Sequence, residues 1–141
     1  LPLAHFEALA RVDGIRLLSL QVGPGSEQLA TAGFPVTDLG QRFDRSSLSD
    51  LAAVLMNMDL VISVETAPAH LAGALGVPAW ILLPLKPDWR WLLERSDSPW
   101  YPTMRLFRQT RFGDWSEVFE RVAREAAGIV EKPGQSRASR N

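Results

Sequence analysis

No cysteine occurs anywhere in this chain. That excludes disulfide staples and cysteine-ligated zinc, and it accords with a reducing compartment. Only two histidines are present, too few for a histidine-rich metal centre, so no metal is expected, and no cofactor is expected either. An excess of one charge is missing too. Fifteen Lys and Arg against sixteen Asp and Glu leave a net charge of −1, with no basic stripe along which a nucleic acid would lie. Long apolar runs are also absent. The most apolar stretch, near Val77 to Leu85, is short and broken by Pro78 and Pro84, so neither a membrane span nor a secretory leader is expected and the reading is a cytoplasmic protein.

What remains is a chain of 141 residues with 46% hydrophobic content. That suffices for one domain over 1–131, burying about two-thirds to 70% of its unfolded surface. The segment 132–141 is polar and rich in Gly, Ser and Arg, and is expected to be a disordered tail. The chain opens Leu1-Pro2 with no Met, as expected for a piece of something longer.

Apolar periodicity alternates between short runs and helical stripes. Ile15 to Val22 reads as a strand ending in Gly23-Pro24-Gly25, and Val36 to Leu39 as a short second one. Leu48, Leu51, Ala52, Leu55 and Met58 fall at helical spacing, with Ser47 available as a cap. Leu60 to Val64 and Ala79 to Leu83 are unbroken apolar runs of strand length, as parallel strands covered on both faces require. Between them Ala67 to Leu75 is a helix of small residues, stopped by Gly76 and Pro78. Met104 to Arg108 is the last strand. Asp114-Trp115-Ser116-Glu117 then reads as a capping box opening a helix with Val118, Val122, Ala126 and Ile129 on one face. The fold class is therefore α/β, a Rossmann-like, doubly wound parallel sheet of about five strands in a three-layer sandwich. The strand order 2-1-3-4-5 puts the topological switch between the first and third strands, and Leu60 to Val64 at the centre. Ligands of such sheets bind outside the carboxyl ends of the strands at that switch.

Two turns lie at those ends. In Glu65-Thr66-Ala67-Pro68-Ala69-His70, Thr66 stands at the N-cap and Pro68 in the first helical turn, where its missing N–H costs nothing. The free amides near Ala67 and Ala69 carry the positive end of the helix dipole, which favours a phosphate by about 0.3–2 kcal/mol. His70, four residues after Thr66, shares that face. The plainer reading keeps Thr66 as a cap only, Glu65 as a solvated carboxylate and His70 as a packing residue. Ala69, Ala72, Gly73 and Ala74 are explained by close helix-to-sheet packing. The turn after Gln21, with Gly23, Gly25 and Ser26, lacks the third Gly of a dinucleotide fingerprint, and it reads either as a plain turn or as a second phosphate contact.

A third feature is the long connection LKPDWRWLLERSDSPWYPT, Leu85 to Thr103. Connections of that length are functional or hold a helical turn of their own. Trp89, Arg90 and Trp91 suit stacking on a base or on a partner domain, or else they seal the loop. Asp97 is a carboxylate on that loop whose direction the sequence does not set.

The run DLVISVETAPAHLAGALGVPAWILLP, followed by PDWRWLLERSDSPWYPTMRLFRQ and GDWSEVFERV, resembles the C-terminal half of glycosyltransferases attached to bacterial tetratricopeptide repeat proteins. It is more distantly similar to the heptosyltransferase family, glycosyltransferase family nine, whose motif at this turn reads Asp-Thr-Gly-x-x-His. The resemblance covers nearly everything from Ile15 to Val130, and DWRWLL with DSPWYP is its more specific part. It implies one half of a GT-B enzyme, the half that holds the nucleotide-sugar donor without a metal. Thr66, the Ala67 amide and His70, with Glu65 beside them, would contact the donor diphosphate. Gln21, Gly23, Gly25 and Ser26 would face the same cleft, with Trp89, Arg90 and Asp97 as secondary cleft residues. Glu65 stands where relatives have Asp, and Val22 where some have a basic residue that would neutralise diphosphate. No residue of this chain is assigned a catalytic role.

The implied partners are a nucleotide diphosphate sugar and a missing N-terminal acceptor half or tetratricopeptide repeat region. A bare cleft face would also suit a homodimer. Two other functions share these features: a half of a UDP-sugar epimerase-like enzyme, and a degenerate non-catalytic interaction domain whose aromatic loop is the contact surface.

Overall fold

A computed structural model describes residues 1–40, 42 and 47–131. The expected tail, 132–141, lies outside them. The chain divides into two compact units, Leu1–Gly40 with Phe119–Asn141, and Gln41–Val118.

In the first unit a 3-10 turn at Leu3–Phe6 leads into α1, Glu7–Ala10. These turns were not foreseen, although Leu3, Phe6, Leu9 and Ala10 recur at helical spacing. Phe6 meets Phe119 edge-on at 4.7 Å, and His5 stacks on the same ring at 5.4 Å. β1, Leu18–Ser19, pairs in parallel with β2, Thr37–Asp38, in the register Leu18 to Thr37 and Ser19 to Asp38. Between them Gly23 and Gly25 take φ of 70° and 96°, where a side chain is strained, and a second 3-10 turn follows at Ser26–Thr31.

The second unit carries a longer sheet. α2, Leu48–Met56, opens on Ser47, whose hydroxyl accepts from the Asp50 amide at 3.1 Å as its sequence foretold. β3, Val61–Ser63, pairs in parallel with β4, Ala79–Leu83, and β4 with β5, Met104–Arg108. Every residue of β4 is buried, which is why its five-residue sequence Ala-Trp-Ile-Leu-Leu has no polar position. α3, Ala67–Ala74, connects β3 to β4 and packs on both strands, with α2 against it. Ala69, Ala72 and Gly73 are buried at that contact, whereas Ala74 is exposed. A Cβ on Gly73 would stand 2.5 Å from the Tyr101 ring and 2.6 Å from Met104 Cε, so glycine here is a packing requirement. The last helix, α4, Trp115–Val130, belongs to this unit only as far as Val118 and to the first from Phe119 on; it starts on Asp114, which accepts from the Glu117 amide at 3.2 Å, and Val118, Val122 and Ala126 are buried while Ile129 is not.

The α/β class and the parallel pairing agree with the sequence reading. A single sheet in the order 2-1-3-4-5 does not form among the described residues; the strands make a two-stranded and a three-stranded sheet. β3 therefore lies at an edge and β4 at the centre. Length is the physical reason. The run Ile15 to Val22 contributes only two paired residues before Gln21 folds its amide onto Ser19 Oγ at 3.2 Å, and β3 contributes three before the chain turns into α3. On this edge strand Ile62 is half-buried.

Candidate functional site

Thr66 occupies the N-cap of α3 with extended backbone, φ −133° and ψ 166°, the usual conformation of an N-cap residue. Its side chain makes no cap bond. The hydroxyl lies 2.8 Å from Ser63 Oγ, a competing local partner, and donates weakly to the Val64 carbonyl at 3.4 Å. The Ala69 amide, expected to be open, is engaged, and so is that of His70. Both donate to the Thr66 carbonyl, at 3.0 and 3.4 Å. Pro68 has no N–H. The Ala67 amide is the one amide of this first turn with no acceptor among the described residues, and Thr66 and Ala67 are both exposed. One N–H at the positive end of an eight-residue helix is thus available to an anion.

Glu65 is half-buried rather than solvated. Its Oε2 accepts from the Asp88 amide at 3.3 Å, tying the end of β3 to the long connection after β4. It also faces Arg108, whose burial lowers its pKa while the Glu65 charge raises it. Asp88 caps a 3-10 turn at Trp89–Trp91, the helical turn that the length of this connection anticipated, and accepts from the Arg90 amide at 3.0 Å and Arg90 Nη1 at 2.8 Å. These bonds, the backbone one foremost, hold the Asp88 carboxyl below the usual carboxylate range. Asp97 is paired with Arg95 at 2.9 and 2.7 Å, and those hydrogen bonds lower its pKa likewise.

His70 turns toward this connection. It stacks on Trp91 with ring centroids 5.4 Å apart and 23° between planes, and its Nδ1 shares a hydrogen bond with the Tyr101 hydroxyl at 3.2 Å. Nε2 has no partner among the described residues. His70, Trp89, Arg90, Trp91, Trp100 and Tyr101 together line an open groove of about 310 Å³. Trp100 and Tyr101 were not singled out from the sequence as site residues. The signal was there in DSPWYP, where two aromatic residues flanked by Pro stand on a loop already holding two Trp.

Glu65, Thr66, Ala67, His70, Trp89, Arg90 and Asp97 all belong to the second unit. Gln21, Gly23, Gly25 and Ser26 belong to the first and form a turn of their own. There the Gly25 amide donates to the Glu27 carboxylate at 2.7 Å, Ser26 Oγ to the Gly23 carbonyl at 2.8 Å, and Gln21 Nε2 to the Pro24 carbonyl at 2.9 Å. Both phosphate-facing groups considered for this turn, the Gly25 amide and the Ser26 hydroxyl, are engaged within it. No cluster of three or more His, Asp or Glu suited to a metal ion occurs among the described residues, and none of their helices is long and apolar enough to cross a membrane.

Comparison with known proteins bears on this geometry. The family described as glycosyltransferase family 9 (heptosyltransferase) matches residues 41–82, a span that holds α2, β3, the Thr66 turn, α3 and β4 as far as Leu82. The chain is also similar to Protein FlbA of Caulobacter vibrioides, 32% identical over 129 residues, which cover 86% of this chain and 21% of that protein. It therefore spans about a fifth of the length of that curated relative. No solved structure matches. The second unit, from α2 to β4, is thus where the chain resembles glycosyltransferase family 9.

Proposed function

We propose that this chain is the nucleotide-sugar-binding half of a metal-independent glycosyltransferase, with the donor diphosphate received at the start of α3. The observation that carries the reading is the Ala67 amide. It stands at the start of α3, four residues beyond the end of parallel strand β3, it is exposed beside the Thr66 hydroxyl, and it has no acceptor among the described residues. Similarity to glycosyltransferase family 9 over 41–82 supports the assignment, since that span includes the turn.

Transfer by these 141 residues alone is not part of the proposal. A glycosyl acceptor must be held and deprotonated opposite the donor. The carboxylates near the turn are otherwise engaged: Glu65 on the Asp88 amide, Asp88 on Arg90, Asp97 on Arg95. We assign the acceptor and its base to a separate half or region of a larger assembly, consistent with the fifth of FlbA that the chain spans.

The test is a titration of the chain with UDP, ADP, GDP and inorganic diphosphate, followed by backbone amide shifts. Half a cleft offers one wall of contacts, so affinity near the millimolar range, roughly −4 kcal/mol, is expected. Shifts centred on Ala67 support the donor site. Saturable shifts centred elsewhere, or none at ten millimolar ligand, refute it and favour the interaction-domain reading, for which exposed Trp89 and Leu93 speak.

A further inference from the structure

We infer that the groove formed by His70, Trp89, Arg90, Trp91, Trp100 and Tyr101 is a stacking site for a nucleobase. As the base subsite of a nucleoside diphosphate, it rests on the donor reading above.

Three observations select this occupant. The first is size: about 310 Å³ is at the lower end for ligand sites and accommodates one or two rings, not a polymer or a folded partner. The second is the state of the polar groups. Trp100 Nε1 donates to the Arg90 carbonyl at 2.9 Å, Arg90 Nη1 to Asp88, and the Tyr101 hydroxyl is shared with His70 Nδ1. A saccharide needs a ring of hydrogen-bonding groups for its hydroxyls, and with these three engaged the groove keeps only isolated ones such as His70 Nε2. What it has left besides are π faces. The exposed indoles of Trp89 and Trp100 retain 70% and 57% of their accessible surface, and the Arg90 guanidinium lies 5.0 Å over the Trp89 ring, a polarised plate of the kind on which bases stack.

The third observation is placement. His70 is both a wall of the groove and a residue of α3, three positions beyond the open Ala67 amide, an axial rise of about 4.5 Å. Groove and amide are therefore close enough for one nucleoside diphosphate to reach both. Its unengaged Nε2 is a polar atom at the junction. Sequence preference among bases should be weak, because stacking discriminates poorly and no unpaired hydrogen-bonding pattern faces the ring.

The experiment titrates the 141-residue chain with uridine, adenosine and guanosine, with their diphosphates, and with inorganic diphosphate, by ligand-observed NMR and indole N–H shifts. Wild type is compared with Trp89→Ala and Trp100→Ala; Trp89 is so exposed that its removal leaves the core intact. Trp89→Ala is expected to weaken every nucleoside and nucleoside diphosphate about 5- to 100-fold while leaving inorganic diphosphate unchanged. Nucleosides that bind in a Trp89-dependent way, without any binding of inorganic diphosphate, would uphold the groove and refute the donor reading. Nucleoside diphosphates that bind equally to wild type and both variants would overturn the groove and leave the donor reading standing. Absence of binding by nucleosides and nucleotides alike would overturn both.

Discussion

Arg108 Nη2 donates to the carbonyl of Leu92 at 2.8 Å, and Leu92 has a φ of 54° and a ψ of −171°. It is the one non-glycine residue at positive φ among those described. Such a conformation costs about 1–3 kcal/mol and persists where its surroundings impose it. The guanidinium, which also reaches the Trp91 carbonyl at 3.2 Å, is that imposition. It fixes the exit of the Trp89–Trp91 turn and keeps Trp91 buried against His70.

Arg108→Met, which keeps the apolar stem but loses both carbonyl bonds, is therefore expected to cost about 2 kcal/mol. Thermal unfolding followed by tryptophan emission checks it. The emission of the folded variant should shift to the red as Trp91 meets water. A variant with wild-type emission and stability would show that the loop is held by something else.

Gly73→Ala should destabilise the second unit. Overpacking against the Tyr101 ring costs about 1–3 kcal/mol, and the better helix propensity of Ala returns at most about 1. A melting temperature a few degrees lower is predicted, and an unchanged or raised one would mean that Tyr101 is free to move aside.

Thr66→Ala distinguishes cap from ligand contact. A working N-cap is worth about 1 kcal/mol, but Thr66 spends its hydroxyl on Ser63, so a loss of no more than about 0.5 kcal/mol is expected. Diphosphate affinity should fall by more than that. Calorimetric stability and nucleotide titration on the same variant separate the two effects, and a full kilocalorie of lost stability with unaltered affinity would restore the plain-cap reading.

Acidification should loosen the Trp89–Trp91 turn. Asp88 has a folded pKa below its unfolded value of about 3.9, held there first by the Arg90 amide and then by the Arg90 side chain. Its contribution is thus fully present above that unfolded value and is lost as pH falls through the lower folded one. Tryptophan emission should stay constant from neutrality to about pH 4 and change below it, with a smaller amplitude in Asp88→Asn. A transition centred above pH 4 in the wild type would contradict this origin. Because the pair is exposed, added salt should reduce the effect.

Several features were legible in the sequence because a local rule decided them. Ala79 to Leu83 is buried on both faces and has no polar residue, Ser47 and Asp114 cap the helices they precede, and Gly73 lies where a helix must approach its neighbours closely. What was not legible depended on distant or competing partners. Nothing near Glu65 announces that the Asp88 amide, 23 residues on, will take its carboxylate. The spacing of Thr66 suits a cap, yet Ser63 competes for the hydroxyl and wins. Sheet order depended on how many residues of Ile15 to Val22 would pair, and only Leu18 and Ser19 do. His70 shows both sides: its place on the first turn of α3 follows from the chain, whereas its stacking on Trp91 required the fold of a loop 21 residues on.

The most direct test removes one hydrogen atom's worth of function from the proposed diphosphate site. Ala67 is the first residue of α3, where proline is well tolerated, and Thr66 before it already has the extended backbone that a following proline requires. Ala67→Pro therefore deletes the open amide with little change in stability. The affinity of wild type and variant for inorganic diphosphate and for UDP, ADP and GDP should be measured side by side. A drop of about tenfold or more for every diphosphate, with the melting temperature retained, is the predicted result; equal affinity in a folded variant would contradict a diphosphate site at the start of α3.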